Sequence, residues 1–313
     1  MFKVTNLSVE RNRPIINDIS FSVNKGKLLC VVGKSGVGKS TLLHCLAGLI
    51  PQSQGTIVLN HQKQNFSDQG LIPGYKDVVL MNQDFALDNY HLVEENLKNA
   101  CSLLPTPIQQ EWVNELLTLF ELNHLKKEKA IHLSGGEQQR LAFAVALAKE
   151  PSVLLLDEPF SNMDVHLKDK VMNYLILLKK RQKTAIIMVT HNGQEALNIS
   201  DHIVFLEKGK MQRFAQPKEV YFFPFSFYEA VFFGKINEIK INREKLLFRP
   251  QQYEIEENKN AISIEIQFKR KHFYGIFELY EYSYKKTPIY LLQKNDVILE
   301  KIFVTASNEK KLE

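Results

Sequence analysis

An unbroken apolar run, KLLCVV at 27–32, leads into GKSGVGKST, Gly33 to Thr41, and that leads into STLLHCLAGL, which reads as a helix ended by Gly48 and Pro51. A buried strand, a glycine-rich turn and a helix in that order belong to α/β folds, and the turn's sequence narrows them further. The turn fits the pattern G-x-x-x-x-G-K-[ST], whose required context is a strand before and a helix after. Gly33, Gly36 and Gly38, with Lys34, Ser35 and Val37 between them, allow backbone N–H groups to curl around phosphate oxygens. The start of the helix adds positive potential at the same place. Lys39 can reach the outer phosphates, and the Ser40 hydroxyl, beside Thr41, is an oxygen ligand of the kind Mg²⁺ prefers. A nucleoside triphosphate site is predicted.

The rhythm continues with VLLL (153–156), TAIIMV (184–189) and HIVFLE (202–207), separated by helical stretches near 135–149 and 165–182. Continuous apolar strands alternating with helices predict an α/β fold with a parallel sheet covered on both faces. Residues 90–130 depart from this: ENLKNACSLL and QQEWVNELLTLFEL, joined by PTP, read as a helical insert. From about 236 the segments ISIEIQF, YGIFELYEY, PIYLLQ and VILEKIFV are short and rich in aromatic and β-branched residues. They predict a small all-β, OB-like domain. The expected division is 1–235 and 236–313, with a helical subdomain at about 84–150 and the stretch 216–234 bridging the two parts.

The net charge of +5 is mild and suggests a solvated surface more than a nucleic-acid partner. No apolar run approaches the roughly 20 residues of a membrane helix, and the first residues, MFKVTNLSVERNRP, lack the apolar centre of a signal peptide. Cys30, Cys45 and Cys101 are far apart, which fits buried thiols in a reducing compartment better than a metal or disulfide set.

Asp157 and Glu158 follow VLLL directly, at the strand end where open α/β sheets bind ligands. Asp157 is placed to hold Mg²⁺ through water, as the acid of phosphate-loop enzymes does. Glu158 points elsewhere and can polarise an attacking water. His191, in VTHNGQEAL, lies just beyond the next strand on the same edge, where its imidazole can meet a γ-phosphate or the attacking water.

The octapeptide LSGGEQQR, Leu133 to Arg140, contains a capping box, Ser134 with Glu137 three residues on. Such a box needs one small residue, yet Gly135 and Gly136 both stand there at a cost in helix propensity. Phosphate loop, LSGGEQQR, LLLDEPFSNMD and THNGQEAL, in this order, resemble the ATPase subunits of ATP-binding-cassette transporters. The resemblance covers 1–235 densely. It implies an ATP hydrolase in which two copies pair head to tail, each ATP lying between the phosphate loop of one and Ser134, Gly135 and Gly136 of the other. It implies that Gln83, in LMNQDFAL, senses Mg²⁺ and water, that Asp164, in SNMD, crosses the dimer interface, and that the helical insert docks on a membrane permease. The aromatic that stacks on adenine in relatives has no counterpart in VERNRP, where Arg11 is nearest by alignment; an arginine can stack on a purine. Val145 stands where relatives often carry arginine.

FFGKIN followed by LLFRPQQYEI resembles the regulatory β domain of importer ATPases for iron, polyamine, sulfate, molybdate or sugar. The resemblance therefore implies a cytoplasmic subunit, peripheral on the inner face of the cell membrane. It would energise import with permease subunits and, indirectly, a solute-binding protein, with iron(III) or a polyamine as the expected solute. The alternative is a ribosome- or nucleic-acid-acting cassette protein. A single cassette without sustained heptads argues against it. FKRKHFYG interleaves basic residues with aromatics and is read as an aromatic core with a solvated basic turn, single-strand stacking on a small barrel being the lesser alternative.

Overall fold

The computed structural model describes residues 1–66, 74–81, 87–181, 184–241, 244–259, 261–275, 277–294 and 296–305. The chain divides into two compact units, Met1–Gln216 and Pro217–Glu313. The sequence division at 235/236 lies further along the chain.

The first unit opens with β1 (Phe2–Glu10), β2 (Pro14–Val23), β3 (Leu28–Val32) and α1 (Lys39–Leu46). It continues with β4 (Gln54–Leu59), β5 (Gln62–Gln64), β6 (Val78–Met81), α2 (Val93–Ala100), α3 (Thr106–Leu119) and α4 (Gly135–Ala148). It ends with β7 (Val153–Asp157), α5 (Val165–Arg181), β8 (Ala185–Thr190), α6 (Gly193–Ile199), β9 (His202–Glu207) and β10 (Lys210–Ala215).

The central sheet has the order β10-β9-β3-β8-β7-β6. Its inner pairings are parallel, and β10 closes one edge antiparallel. Every residue of β3, β7 and β8 is buried, as their unbroken apolar runs predict. A second, antiparallel sheet has the order β2-β1-β4-β5. Phe2, Leu7, Ile16 and Ile19 from it share one core with Leu42, Leu43 and Leu46 of α1 and with Val31, Ile187 and Val189 of the central sheet. Each such side chain contributes about 1.5–3 kcal/mol by leaving water. Among α2, α3 and α4, Phe143 packs 5.2 Å from Phe120, ring to ring. PTP at 105–107 opens α3, with Pro105 as its N-cap and Pro107 in its first turn, where a missing N–H costs nothing.

The second unit starts with α7 (Pro217–Phe222) and α8 (Phe227–Phe232). Then come β11 (Asn237–Ile241), β12 (Glu244–Phe248), β13 (Ala261–Glu265), β14 (Gln267–Tyr274), β15 (Phe277–Tyr284), β16 (Thr287–Gln293) and β17 (Lys301–Thr305). They pair antiparallel as β11-β12, β13-β17 and β14-β15-β16. Ile239, Phe248, Ile264, Tyr280, Tyr282, Leu291 and Ile302 build one core from all three sheets. Arg249 is fully buried in this unit. Its guanidinium donates to the carbonyls of Tyr221, Ala230, Gly234 and Lys235 at 2.8–3.1 Å, and it lies over the Tyr221 ring. That anchorage ties α7 and α8 to the strands and explains why this unit begins at 217.

Candidate functional site

Parallel pairing sets the ends of β3, β8 and β7 side by side: Val32 faces Thr190, and Asp157 faces Val189. The residues that follow those ends, Gly33, His191 and Glu158, therefore gather along one sheet edge. The glycines of the loop are required by space as well as by φ. Gly33 has φ 154°, and a Cβ there would lie 2.2 Å from the Leu206 carbonyl oxygen. Gly38 has φ 103°, and its Cβ would lie 2.8 Å from Ile16 Cδ1. Close approach of the β2 start to the loop explains the second. Gly36, by contrast, has φ 79° with open space around it, which leaves Lys34–Gly36 exposed at the rim.

Lys39 is buried, and its Nζ donates to the carbonyls of Gly33 and Lys34, both at 2.9 Å. Burial lowers its pKa, and the neighbouring Glu158 and Asp157 oppose that shift. Ser40 is exposed, Val37 and Thr41 are half-buried, and the Ser40 hydroxyl bonds Asp157. Asp157 is itself buried, which raises its pKa, and its Oδ1 has no hydrogen-bond partner among the described residues. A desolvated carboxylate with an orphan oxygen beside a hydroxyl is a donor set of hard oxygens, and it fits Mg²⁺.

Glu158 has a left-handed backbone, φ 48°, unusual for a residue with a side chain. Its N–H donates to the Val189 carbonyl at 3.0 Å, and its Oε2 lies 3.1 Å from His191 Nδ1. The turn carrying His191 is braced from below. The Thr190 hydroxyl donates to Glu195, which pairs with Lys168 of α5 at 2.6 Å, and Asn192 caps α6 through the N–H groups of Gln194 and Glu195.

Ser134, Gly135 and Gly136 form a separate element at the start of α4. Ser134 N–H and hydroxyl both donate to Glu137 Oε2, at 2.8 and 2.7 Å, and these bonds lower the Glu137 pKa. Both glycines are helical. A Cβ at Gly135 would meet nothing within 4 Å, and one at Gly136 would only touch the Asn162 carbonyl oxygen at 3.6 Å. Packing within the chain does not call for glycine at Gly135. Asp164 caps α5, accepting from Leu167 N–H at 3.0 Å, which lowers its pKa. Arg11 is exposed in the β1–β2 turn, and Gln83 lies outside the described residues. The structure thus joins Lys39, Ser40, Asp157, Glu158 and His191, whereas Ser134, Asp164 and Arg11 make their described contacts elsewhere.

Two features escape the sequence reading: the Lys168–Glu195–Thr190 brace, and Gln139, whose amide meets the backbone at Glu158. The second lay inside LSGGEQQR, where only its polarity on an otherwise buried helix face gave a signal. Cys30, Cys45 and Cys101 are buried free thiols, with burial raising the Cys45 pKa to about 12. Among the described residues no helix is long and apolar enough to cross a membrane.

A glycine-rich loop on a parallel-sheet edge, with carboxylates and an imidazole on neighbouring strand ends, defines the class of phosphate-loop nucleoside triphosphatases. The ABC transporter family profile matches residues 16–161. The chain is 39% identical over 228 residues to the spermidine/putrescine import ATP-binding protein PotA of Legionella pneumophila, covering 72% of this chain and 62% of that one. It is 31% identical over 297 residues to the protein of the same name from Bacillus anthracis, covering 94% and 88%. Among solved structures, an ATP-binding cassette in a dimeric post-hydrolysis state, bound to ADP and Pi, matches with TM-score 0.62. It is 24% identical, over 69% of this chain and 99% of that one, a likeness of fold. The chain belongs to the ABC transporter ATPase family.

Proposed function

We propose that this chain is the ATP-hydrolysing subunit of a polyamine importer, working as a pair of identical copies beneath a membrane permease. The observation that carries the site is the gathering of Lys39, Ser40, Asp157, Glu158 and His191 on one sheet edge. The loop Gly33–Thr41 cradles the phosphates, with Lys39 turning its ammonium from the loop carbonyls to the outer oxygens. Ser40 and Asp157 would hold Mg²⁺, which would supply neutralising charge on the phosphates when bound. Glu158 takes the proton of the attacking water, and His191, fixed by the Thr190–Glu195–Lys168 brace, orients Glu158 and the γ-phosphate. Gln83, by the family resemblance, watches the metal and the water. Ser134, Gly135 and Gly136 present a helix N-terminus to the γ-phosphate of the partner copy's nucleotide, with Asp164 at the same seam. Arg11 is the candidate beneath adenine.

The Legionella pneumophila and Bacillus anthracis relatives are named for spermidine and putrescine, which favours a polyamine over iron(III) as the solute. The subunit is then peripheral to the inner face of the membrane, and a solute-binding protein delivers the polyamine outside. Deleting the coding sequence should abolish energy-dependent uptake of labelled spermidine or putrescine and leave iron(III) uptake intact. Unchanged polyamine uptake with lost iron uptake would reverse the assignment of solute.

A further inference from the structure

Gln139 lies on α4, more than a turn past the Ser134 N-cap, and is 3% exposed. Its Nε2 meets the carbonyl oxygens of Glu158 and Pro159 at 3.2 and 3.1 Å and the Ser161 hydroxyl at 3.1 Å. Two N–H protons are thus shared among three acceptors, while Oε1 is buried with no partner among the described residues. A buried amide with one end unsatisfied is costly, and leucine would pack on this apolar helix face without that cost.

What the amide holds explains its presence. The oxygens belong to the turn that starts at Glu158, whose φ of 48° is strained and persists only where the surroundings over-determine it. On one side the Glu158 N–H is tied to Val189 of β8. On the other, the Glu158 and Pro159 carbonyls are tied to α4 through Gln139. The peptide units on both sides of the Glu158 Cα are therefore clamped by two different elements, and the direction of its side chain follows from the clamp.

We propose that Gln139 is a positioning residue that aims the Glu158 carboxylate. The inference rests on the reading of Glu158 as the general base. A proton acceptor displaced by a fraction of an ångström loses rate without losing substrate, so the loss should fall on turnover and spare binding.

The test uses the full chain with two variants. Gln139→Leu removes the donors, and Gln139→Glu keeps the shape while turning an acceptor toward the two carbonyls. For each, the ATPase kcat, the KM for ATP and the melting temperature are measured beside the wild type. Support is a kcat at least about tenfold lower, with KM within about threefold and melting within a few degrees. If Gln139→Leu does not fold, Gln139→Glu decides alone. A smaller fall in kcat, or a fall shared with KM or melting temperature, overturns the inference. No hydrolysis by the wild-type chain overturns the reading of the site and this inference with it. Normal hydrolysis in the wild type that is unaltered in the variants overturns this inference alone.

Discussion

Glu158 carries the residue-scale argument, because its proposed role as general base and its strain coincide. A left-handed φ at a residue with a side chain costs of order 1–3 kcal/mol, and such outliers gather at functional sites. Glu158→Gln keeps the size, the backbone and the contact distance to His191 while removing the proton acceptor. Its phosphate release should fall by about 10²–10⁴-fold. Nucleotide affinity should stay within about threefold. A phosphate-release assay beside a nucleotide titration checks both, and near-normal turnover would refute the base. Asp157, Glu158 and His191 were legible in the sequence because each follows an unbroken apolar strand. In a parallel sheet, adjacency of strand ends then follows from pairing alone. Gln139 and Glu195 were not legible in that way. Their partners lie on other elements, and the sequence shows only polar residues in helices.

At the scale of elements, legibility tracked burial on both faces. β3, β7, β8 and β9 were read within a residue or so because both faces are covered and the apolar run is continuous. β1 and β2 were missed. Their pairing shifts register between Val4, Leu7 and Val9, and Asn6 (φ 48°) and Asp18 (φ 53°) take left-handed backbone, which breaks the alternation a reader looks for. FKRKHFYG forms much of β14, where Arg270 pairs with Glu281 at 2.8 Å and Lys271 with Asp296 at 2.9 Å. Arg270 and Lys271 meet carboxylates and Lys269 meets Gln267 within the unit, which weakens the sequence basis for a nucleic-acid surface. Nothing in LLFRPQQYEI marks Arg249 as buried, although it anchors two helices. Arg249→Leu leaves four carbonyl oxygens facing an apolar side chain. Stranding buried acceptors in this way costs about 1–3 kcal/mol. The expected result in urea is an earlier transition of the second unit, with new proteolytic cleavage between α7 and α8. An unchanged midpoint would show that those helices are held by packing alone.

At the scale of the whole molecule, Gly135 separates what the chain needs from what an assembly needs. The residue is helical, exposed and surrounded by open space, so alanine fits the isolated chain without contact. Alanine also favours a helix over glycine by up to about 1 kcal/mol, less at a first-turn position. Gly135→Ala should therefore leave the melting temperature unchanged or raise it slightly. If a second copy brings its triphosphate against this backbone, the added methyl occupies the approach and weakens the closed pair. In a Glu158→Gln background with ATP, sedimentation should show a dimer where Gly135 is kept and a shift toward monomer once Gly135→Ala is added. The opposite signs distinguish an assembly role from a folding role: lower stability would place the need for glycine inside the chain. Equal dimer populations at equal stability would show that Gly135 faces no nucleotide, and the head-to-tail pairing would lose its support at this position.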